Sequence, residues 1–317
     1  MKIGFIGLGN VGGKLAGNLL ANEVDLYVRD LDRTTAEPHL AKGAGWADSP
    51  AELARICDIV ITCLPSPAAC AEVMEGQDGL LTGLGPGKIW VEMSTTDGSE
   101  VQRMAALVAD TGADAAECPV SGGCHRAATG NISIFAGCSR PTFERLMPVL
   151  SILGRRILHT GEIGTASMLK VMTNYLATAN LVTLCEALAV MKAQGLDLGT
   201  TYEAIRISSG TSFVHETESQ MILSGSRDIS FTMDLVLKDI GLFQELADRA
   251  KMALEVSPLL IDIFRDGQAR YGQRAQSDDI IRRLEEANGL DIRAPGFPTE
   301  MVDDEPPVRG EEVIVRR

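Results

Sequence analysis

A side chain that could move a proton and one that could donate a hydrogen bond stand four residues apart in an apolar segment. Lys170 has apolar neighbours on both sides, and a helix would place Asn174 on the same face. A lysine withdrawn from water loses the hydration of its charged form, so its pKa falls and it can exchange a proton with an alcohol or carbonyl oxygen. We predict that Lys170 is a general acid/base and that Asn174 donates to the same oxygen or orients the substrate. The alternative for Lys170 is a lysine whose ammonium group reaches solvent at a domain edge.

Hydride transfer, a reaction that would use such a proton, also needs a bound redox cofactor. The first thirty residues have the pattern of a dinucleotide site: a short apolar run, a glycine-rich turn and a helical pattern. Gly7 permits the tight turn, Gly9 lets the backbone approach a pyrophosphate, and Gly12 allows the helix to pack on the sheet. We predict that the turn binds the cofactor through Gly7, Leu8, Gly9, Asn10, Val11 and Gly12. The alternative is a glycine turn that binds nothing.

Asp30 indicates which dinucleotide binds. It follows a second strand-like run, roughly 20 residues after the glycine turn, where an acidic side chain accepts a hydrogen bond from the ribose 2′-OH. Its charge would repel a 2′-phosphate, so the sequence predicts NAD rather than NADP. Arg29 and Arg33 flank Asp30 and would weaken that preference.

A second glycine turn suits the substrate. Ser121, Gly122 and Gly123 supply a hydroxyl and unobstructed backbone N–H groups that could hold a carboxylate, although a plain glycine turn is the alternative. Arg126 comes shortly afterwards and could bind a second anionic group, so we predict a small anionic substrate. The alternative is a solvated loop around Arg126 and His125, and His125 has no metal-ligand spacing.

Two further segments could contact the cofactor. Ser94-Thr95-Thr96 ends a strand-like run, so Thr95 could contact the nicotinamide ribose or carboxamide, or the segment could cap the next helix. Lys238 could reach the cofactor from the second half of the chain. Its alternative is an exposed helical lysine paired with Asp234.

The elements that must position these residues change from alternating strands and helices to helices alone near Gly161. Before it, strand-like and helix-like segments alternate, which is typical of a parallel sheet with helices on both faces, and the turns after the strands should face one cleft. After it, helical periodicity continues for roughly thirty residues to Gln194, and further helical patterns follow. We predict a dinucleotide-binding domain over 1–163, an all-helical substrate and oligomerisation domain over 164–287, and an extended or disordered acidic tail over 288–317. The alternative for the tail is a strap on a neighbouring subunit.

Composition excludes several classes of protein. The net charge of −14 argues against nucleic-acid binding, because a phosphate backbone would repel it. The seven cysteines form no CxxC pair, so we expect reduced thiols in a cytoplasmic protein and no metal site. A strand that begins at residue 2 leaves no room for a signal peptide. Polar residues interrupt the apolar region at 171–191, which predicts a buried helix and no membrane span.

Four ordered motifs resemble the β-hydroxyacid dehydrogenase family, which includes 3-hydroxyisobutyrate dehydrogenases and tartronate semialdehyde reductases. They lie at residues 4–12, 118–123, 161–174 and 238–242, and the resemblance covers about residues 1–285. It implies a Rossmann-like N-terminal domain with a parallel sheet, a long interdomain helix and an all-α C-terminal domain, assembled as a homodimer or homotetramer. It also implies roles for individual residues: Lys170 as the acid/base, Asn174, Ser121, Gly122 and Gly123 on the substrate, and Leu64, Pro65, Thr95 or Thr96, and Lys238 near the cofactor.

Departures from the family pattern concern the substrate. The turn begins Glu117-Cys118 where relatives usually have Asp-Ala, and His125-Arg126 replaces a frequent Gly-Ala. We therefore predict NAD-dependent interconversion of a small 3-hydroxy acid and its aldehyde or keto acid, with the particular acid left open. An imine reductase and a non-catalytic scaffold that retains the cofactor site are the alternatives, and Lys170 weighs against both. A sugar-phosphate dehydrogenase is weaker, because no cluster of phosphate-binding Arg and Lys is evident.

Overall fold

The structure is a computed structural model that describes residues 1–316, and the chain divides into two units. The first contains residues 1–170 together with the chain from 303 onward, and the second contains Val171–Val302. The predicted boundary at 163/164 lies just before the long helix, and contacts group the first turns of that helix with the first unit. There Ala166 and Ser167 are buried and their N–H groups are hydrogen-bonded to Glu117.

The first unit is built on one ten-stranded sheet. In space the strands run in the order β10-β9-β8-β6-β5-β4-β1-β2-β3, and β7 pairs with β8 off this path. Their bounds are β1 (Lys2–Ile6), β2 (Asp25–Arg29), β3 (Gly45–Trp46), β4 (Ile59–Thr62), β5 (Ile89–Glu92), β6 (Asp114–Glu117), β7 (Val120–Ser121), β8 (Ile132–Gly137), β9 (Gly154–Gly161) and β10 (Glu311–Glu312).

Strand direction explains which turns can meet. The strands β1 to β6 pair in parallel, as predicted, so their carboxyl ends lie at one edge. In contrast, β8 runs antiparallel to β6, and β9 and β10 follow the direction of β8. The predicted strands near 132–136 and 156–159 are present, but their carboxyl ends lie at the opposite edge.

Helices cover the sheet. They are α1 (Gly12–Ala21), α2 (Glu37–Leu40), α3 (Pro50–Ile56), α4 (Pro67–Glu75), α5 (Gly98–Asp110), α6 (Gly123–Thr129) and α7 (Arg140–Leu153). Two buried apolar clusters involve strand residues, one around Phe5 and Phe143 and the other around Trp90. This two-cluster packing is expected when helices lie on both faces of a sheet.

The second unit is helical, which confirms the predicted fold class. After the long helix α8 (Thr165–Ala193), which begins in the first unit, come α9 (Leu198–Arg206), α10 (Phe213–Ser224), α11 (Met233–Arg249), α12 (Val256–Tyr271) and α13 (Arg282–Asn288). By length and composition alone α8 could cross a membrane. Its residues Leu184 and Leu188 belong to the buried cluster of the second unit, as in the core helix of a globular domain.

The tail from residue 289 is extended and packed, and it divides between the units. Ile292 is fully buried in the second unit, where the N–H of Ala294 donates to the carbonyl of Leu223 at 2.9 Å. From Asp303 onward the chain belongs to the first unit and adds β10 to the edge of the sheet, parallel to β9. Of the two predicted states of the tail, extended or disordered, the structure shows the extended one through residue 316. Backbone and carboxylate hydrogen bonds hold it in place.

Candidate active site

The glycine turn between β1 and α1 has the geometry of a dinucleotide cradle. Gly7 has a φ of +95°, and a Cβ there would clash with the carbonyl oxygen of Cys63. A Cβ on Gly12 would clash with the carbonyl oxygen of Gly7, so the helix can pack this closely only with glycine. At Gly9, in contrast, a Cβ would meet no atom within 4 Å, which leaves its backbone open to a ligand. These residues fit a pyrophosphate at the N-terminus of α1.

Asp30 lies beside this turn. The N–H of Leu8 donates to Asp30 Oδ2 at 2.7 Å, and the N–H of Asp32 donates to Asp30 Oδ1 at 3.1 Å. The guanidinium group of Arg33 lies over the ring of Trp46, with its Cζ 5.0 Å from the ring centroid. The carboxylate of Asp30 therefore sits next to the cradle, where its charge can act on an adenine ribose.

Buried hydrogen bonds tie the next two turns together. The N–H of Leu64 donates to Ser94 Oγ at 2.7 Å, and the N–H of Ser94 donates to Glu92 Oε1 at 2.7 Å. A Cβ on Gly7 would lie 3.1 Å from the side chain of Leu64, so the predicted turns at 7–12, 64–65 and 94–96 do meet. Thr95 and Pro65 belong to these turns. The alternative that residues 94–96 cap a helix is wrong, because Asp97 caps α5.

The Ser121 turn needs its glycines. Ser121 ends β7, and Gly122 and Gly123 have φ values of +132° and +84°, a region that other residues rarely adopt. A Cβ on Gly122 would lie 3.2 Å from Cδ of Arg126, and one on Gly123 would lie 3.0 Å from the ring of His125. Burial, helped by the charge of Arg126, lowers the pKa of His125. Both side chains therefore lie against the turn predicted to hold a carboxylate.

Arg126 is engaged by the chain's own tail. Its guanidinium group lies 2.9 Å from a carboxylate oxygen of Glu305, and the Arg155 guanidinium lies 3.0 Å from the other oxygen. The structure therefore contradicts the alternative that Arg126 lies in a solvated loop, because its guanidinium group is paired.

Lys170 is buried, with 7% of its surface exposed, and it lies in α8 close to the start of the helix. That burial contradicts the alternative of a lysine reaching solvent. Glu117, fully buried at the end of β6, fixes the start of α8. Its carboxylate accepts hydrogen bonds from the N–H of Gly164 at 2.6 Å and Ala166 at 2.8 Å, and from both the N–H and the hydroxyl of Ser167. The helix that carries Lys170 is thereby tied to the sheet.

Sequence reasoning missed the buried glutamates Glu92 and Glu117. They are cross-strand partners in the register of β5 and β6, and one holds Ser94 while the other holds α8. Burial raises the pKa of both carboxyls, against hydrogen bonds that lower it. The sequence signal for both was an acidic residue at the end of a predicted strand. A carboxyl buried there must find hydrogen-bond donors, which marks it as a residue that holds neighbouring turns.

In the second unit, Asp239 joins the two predicted residues. The Asn174 amide donates to Asp239 Oδ2 at 2.5 Å, and Lys238 Nζ lies 2.9 Å from Asp239 Oδ1. Asp234 instead pairs with Arg274, so the predicted alternative of a Lys238–Asp234 pair is wrong. Asp239 was missed as a functional residue, although its place directly after Lys238 in the fourth motif was a signal.

No metal centre is found among residues 1–316: no group of three or more His, Cys, Asp and Glu side chains there could hold an ion. All seven cysteines are free thiols.

Comparison with known families matches nearly all of the chain up to residue 284. Residues 2–161 match the NAD-binding domain of 6-phosphogluconate dehydrogenase, and residues 164–284 match the NAD-binding family of NADP-dependent 3-hydroxyisobutyrate dehydrogenase. The tail lies beyond both matches.

Individual relatives are also dehydrogenases by name or resemble this chain in fold. A 2-(hydroxymethyl)glutarate dehydrogenase from Eubacterium barkeri is 34% identical over 92% of this chain and 97% of its own length. An NAD-dependent L-serine dehydrogenase from Pseudomonas aeruginosa is 31% identical over 83% of this chain and 91% of its own. Among solved structures, Psf3 in complex with NADP+ and 2-OPP has a TM-score of 0.84 and 27% identity, covering 89% of this chain and 99% of that one.

The chain belongs to the β-hydroxyacid dehydrogenase family. It is an oxidoreductase that acts on a hydroxy acid with a nicotinamide dinucleotide, which confirms the predicted class of enzyme and the type of cofactor.

Proposed function

We propose that this protein interconverts a small 3-hydroxy acid and its aldehyde or keto acid, with NAD as the cofactor and Lys170 as the general acid/base. The observation that carries the proposal is the burial of Lys170 in a helix that Glu117 ties to the sheet. The same unit contains the glycine cradle and the Ser121 turn. The relatives act, by their names, on 2-(hydroxymethyl)glutarate and L-serine.

Each residue has a separate task in this proposal. The bound dinucleotide supplies the hydride acceptor for oxidation and the hydride donor for reduction. Lys170 Nζ takes the hydroxyl proton during oxidation and returns it to the carbonyl oxygen during reduction. Ser121 and the N–H groups of Gly122 and Gly123 hold the carboxylate. Asn174 orients the reacting oxygen, and its own orientation is fixed by the hydrogen bond to Asp239.

The preference for NAD rests on Asp30. Its carboxylate is held beside the cradle by the N–H of Leu8, so a 2′-phosphate on the adenine ribose would meet a fixed negative charge. The nearby Arg33 is stacked on Trp46, an arrangement that occupies one face of its guanidinium group.

We further propose a homodimer or homotetramer in the cytoplasm. Val190, Leu196 and Ile207, in the second unit, expose 54%, 52% and 78% of their surface, and exposed apolar side chains of this kind could pack against a second copy of the chain. The first two line a groove of about 700 Å³. Seven free thiols support a reducing compartment.

The test is the initial rate of NAD and NADP reduction at alkaline pH with 3-hydroxyisobutyrate, L- and D-serine, D-glycerate, threonate and a hydroxy sulfonate. Lys170→Met should reduce turnover by about 10²–10⁴-fold, the usual contribution of a general acid/base, and leave the Kd for NAD unchanged. Lys192→Met, the same change in the last turn of the same helix, is the matched control. A Lys170→Met enzyme that keeps the wild-type rate would contradict the assigned role.

Cyclic imines, added to this panel, separate the alternatives. Turnover of cyclic imines but of no hydroxy acid would support an imine reductase. NAD binding without turnover of either class would support a non-catalytic scaffold.

A further inference from the structure

The C-terminal segment 303–313, which we call the strap, is seated on the first unit by its backbone. The N–H of Gly310 donates to the carbonyl of Ser151 at 2.8 Å, and the N–H of Val313 donates to that of Ile157 at 2.7 Å. A Cβ on Gly310 would clash with the carbonyl oxygen of Gly154, so this approach is possible only for glycine. Arg140 and Glu312 add a two-point ion pair with distances of 2.6 and 2.9 Å. The strap is therefore a built part of this unit.

Ahead of this anchor, the strap places two carboxylates beside the Ser121 turn. Asp303 accepts hydrogen bonds from the side chains of Thr129 and Asn131, and Asn131 also donates to the carbonyl of Glu305 at 2.9 Å. With its backbone held in this way, Glu305 directs its carboxylate to Arg126 and Arg155.

Arg126 connects the strap to the substrate turn. Its aliphatic stem lies against Gly122, while its guanidinium group is paired with Glu305. A guanidinium group next to a carboxylate-binding turn is the arrangement that would recognise a second carboxylate on the substrate. Glu305 supplies that second carboxylate from within the chain.

We propose that Glu305 determines specificity by occupying Arg126, so that the enzyme selects monocarboxylate over dicarboxylate hydroxy acids. This inference rests on the proposed function, because it presumes that the Ser121 turn holds a substrate carboxylate. A dicarboxylate must displace Glu305 to reach Arg126, and it must do so in a chain with a net charge of −14. The side chains of Arg126 and Glu305 are 28% and 43% exposed, so the pair is accessible to competition by substrate.

Glu305→Gln tests the proposal, because it keeps the shape of the side chain and removes its charge. Asp304→Asn is the matched control, since Asp304 is the adjacent acid of the strap and its side chain is exposed. We would measure kcat/KM for 3-hydroxyisobutyrate and for 2-(hydroxymethyl)glutarate in the wild type and both variants. Calorimetry of butyrate and glutarate binding to the NAD-saturated proteins would give a second readout that needs no turnover.

In Glu305→Gln, the dicarboxylate-to-monocarboxylate ratio of kcat/KM should rise at least tenfold, and the Kd for glutarate should fall by a similar factor. The Asp304→Asn values should match the wild type. Adding Arg126→Met to Glu305→Gln should remove the gain. A glutarate Kd in Glu305→Gln within twofold of the wild type, or no glutarate binding to either protein, would overturn the role of Glu305. Loss of the proposed function has a different signature, the absence of wild-type turnover with any hydroxy acid.

Discussion

The attachment of α8 to the sheet should depend on the carboxylate of Glu117. This side chain is fully buried and accepts four hydrogen bonds from the first turn of the helix and the loop before it. In Glu117→Gln one oxygen remains for the N–H groups of Gly164 and Ala166, and the hydroxyl of Ser167 can turn to accept from the new amide. The N–H of Ser167 then loses its acceptor.

The expected loss of unfolding free energy follows from the number of donors left without an acceptor. One buried donor without a partner costs about 1–3 kcal/mol, partly offset because the variant no longer buries a charge. Glu117→Ala leaves every one of these donors without its acceptor and also creates a cavity, so it should cost roughly 3–5 kcal/mol. At roughly 2–4 °C per kcal/mol for a unit of this size, the Tm should fall by several degrees for glutamine and by roughly 6–20 °C for alanine.

Urea and thermal unfolding measure these changes, and steady-state kinetics measure their effect on the site. Because Lys170 lies one turn beyond Ser167, kcat should fall with stability while the Kd for NAD stays constant. Glu162→Gln is the control, since Glu162 is exposed just before the helix. If both Glu117 variants unfolded at the wild-type Tm, the carboxylate would not be what holds α8.

Two further predictions concern charge. Asp30→Asn keeps an acceptor for the Leu8 N–H and removes the charge, so the ratio of kcat/KM for NADP to that for NAD should rise at least tenfold; an unchanged ratio would show that Asp30 does not select the cofactor. In the second unit, burial raises the pKa of Asp278 from 3.8 to about 7, with Arg227 opposing and Asp279 adding to the rise. The folded state then holds this proton more tightly than the unfolded state, so stability is lost as pH rises from about 4 to about 7. Asp278→Asn should remove this pH-dependent loss of unfolding free energy, which is at most about 4 kcal/mol. Urea unfolding at both pH limits measures the change. A variant with the same pH profile of stability as the wild type would refute the assignment to Asp278.

The sequence predicts the cofactor turn well because its determinants are local. Glycines at fixed spacing, with a strand before and a helix after them, leave one backbone path, and the structure shows why Gly7 and Gly12 accept no side chain. The burial of Lys170 was likewise predictable from its apolar flanks alone. In each case the informative residues lie within about ten positions of the site.

Other features depend on register and direction that no local pattern encodes. An apolar strand looks the same in either direction, so the reversal of β8 relative to β6 could not be predicted. The cross-strand pairing of Glu92 with Glu117 requires the register of two strands. The ion pair between Arg126 and Glu305 joins positions 179 residues apart, and the tail's composition alone indicated only an extended or disordered segment.

The attachment of the strap separates substrate selectivity from the stability of the fold, two properties that are usually coupled in enzymes. Residues that line a substrate cavity commonly belong to the hydrophobic core, so changing them to alter selectivity also risks the fold. Here the strap lies outside the regions matched by the two families and is attached at several points besides Glu305: main-chain hydrogen bonds, one glycine, and the side chains of Asp303 and Glu312. The side chain of Glu305 can therefore be exchanged by mutation, or by grafting a different C-terminal segment that keeps these attachments, without repacking the sheet. The C-terminus is therefore an independent site at which selectivity can evolve or be engineered.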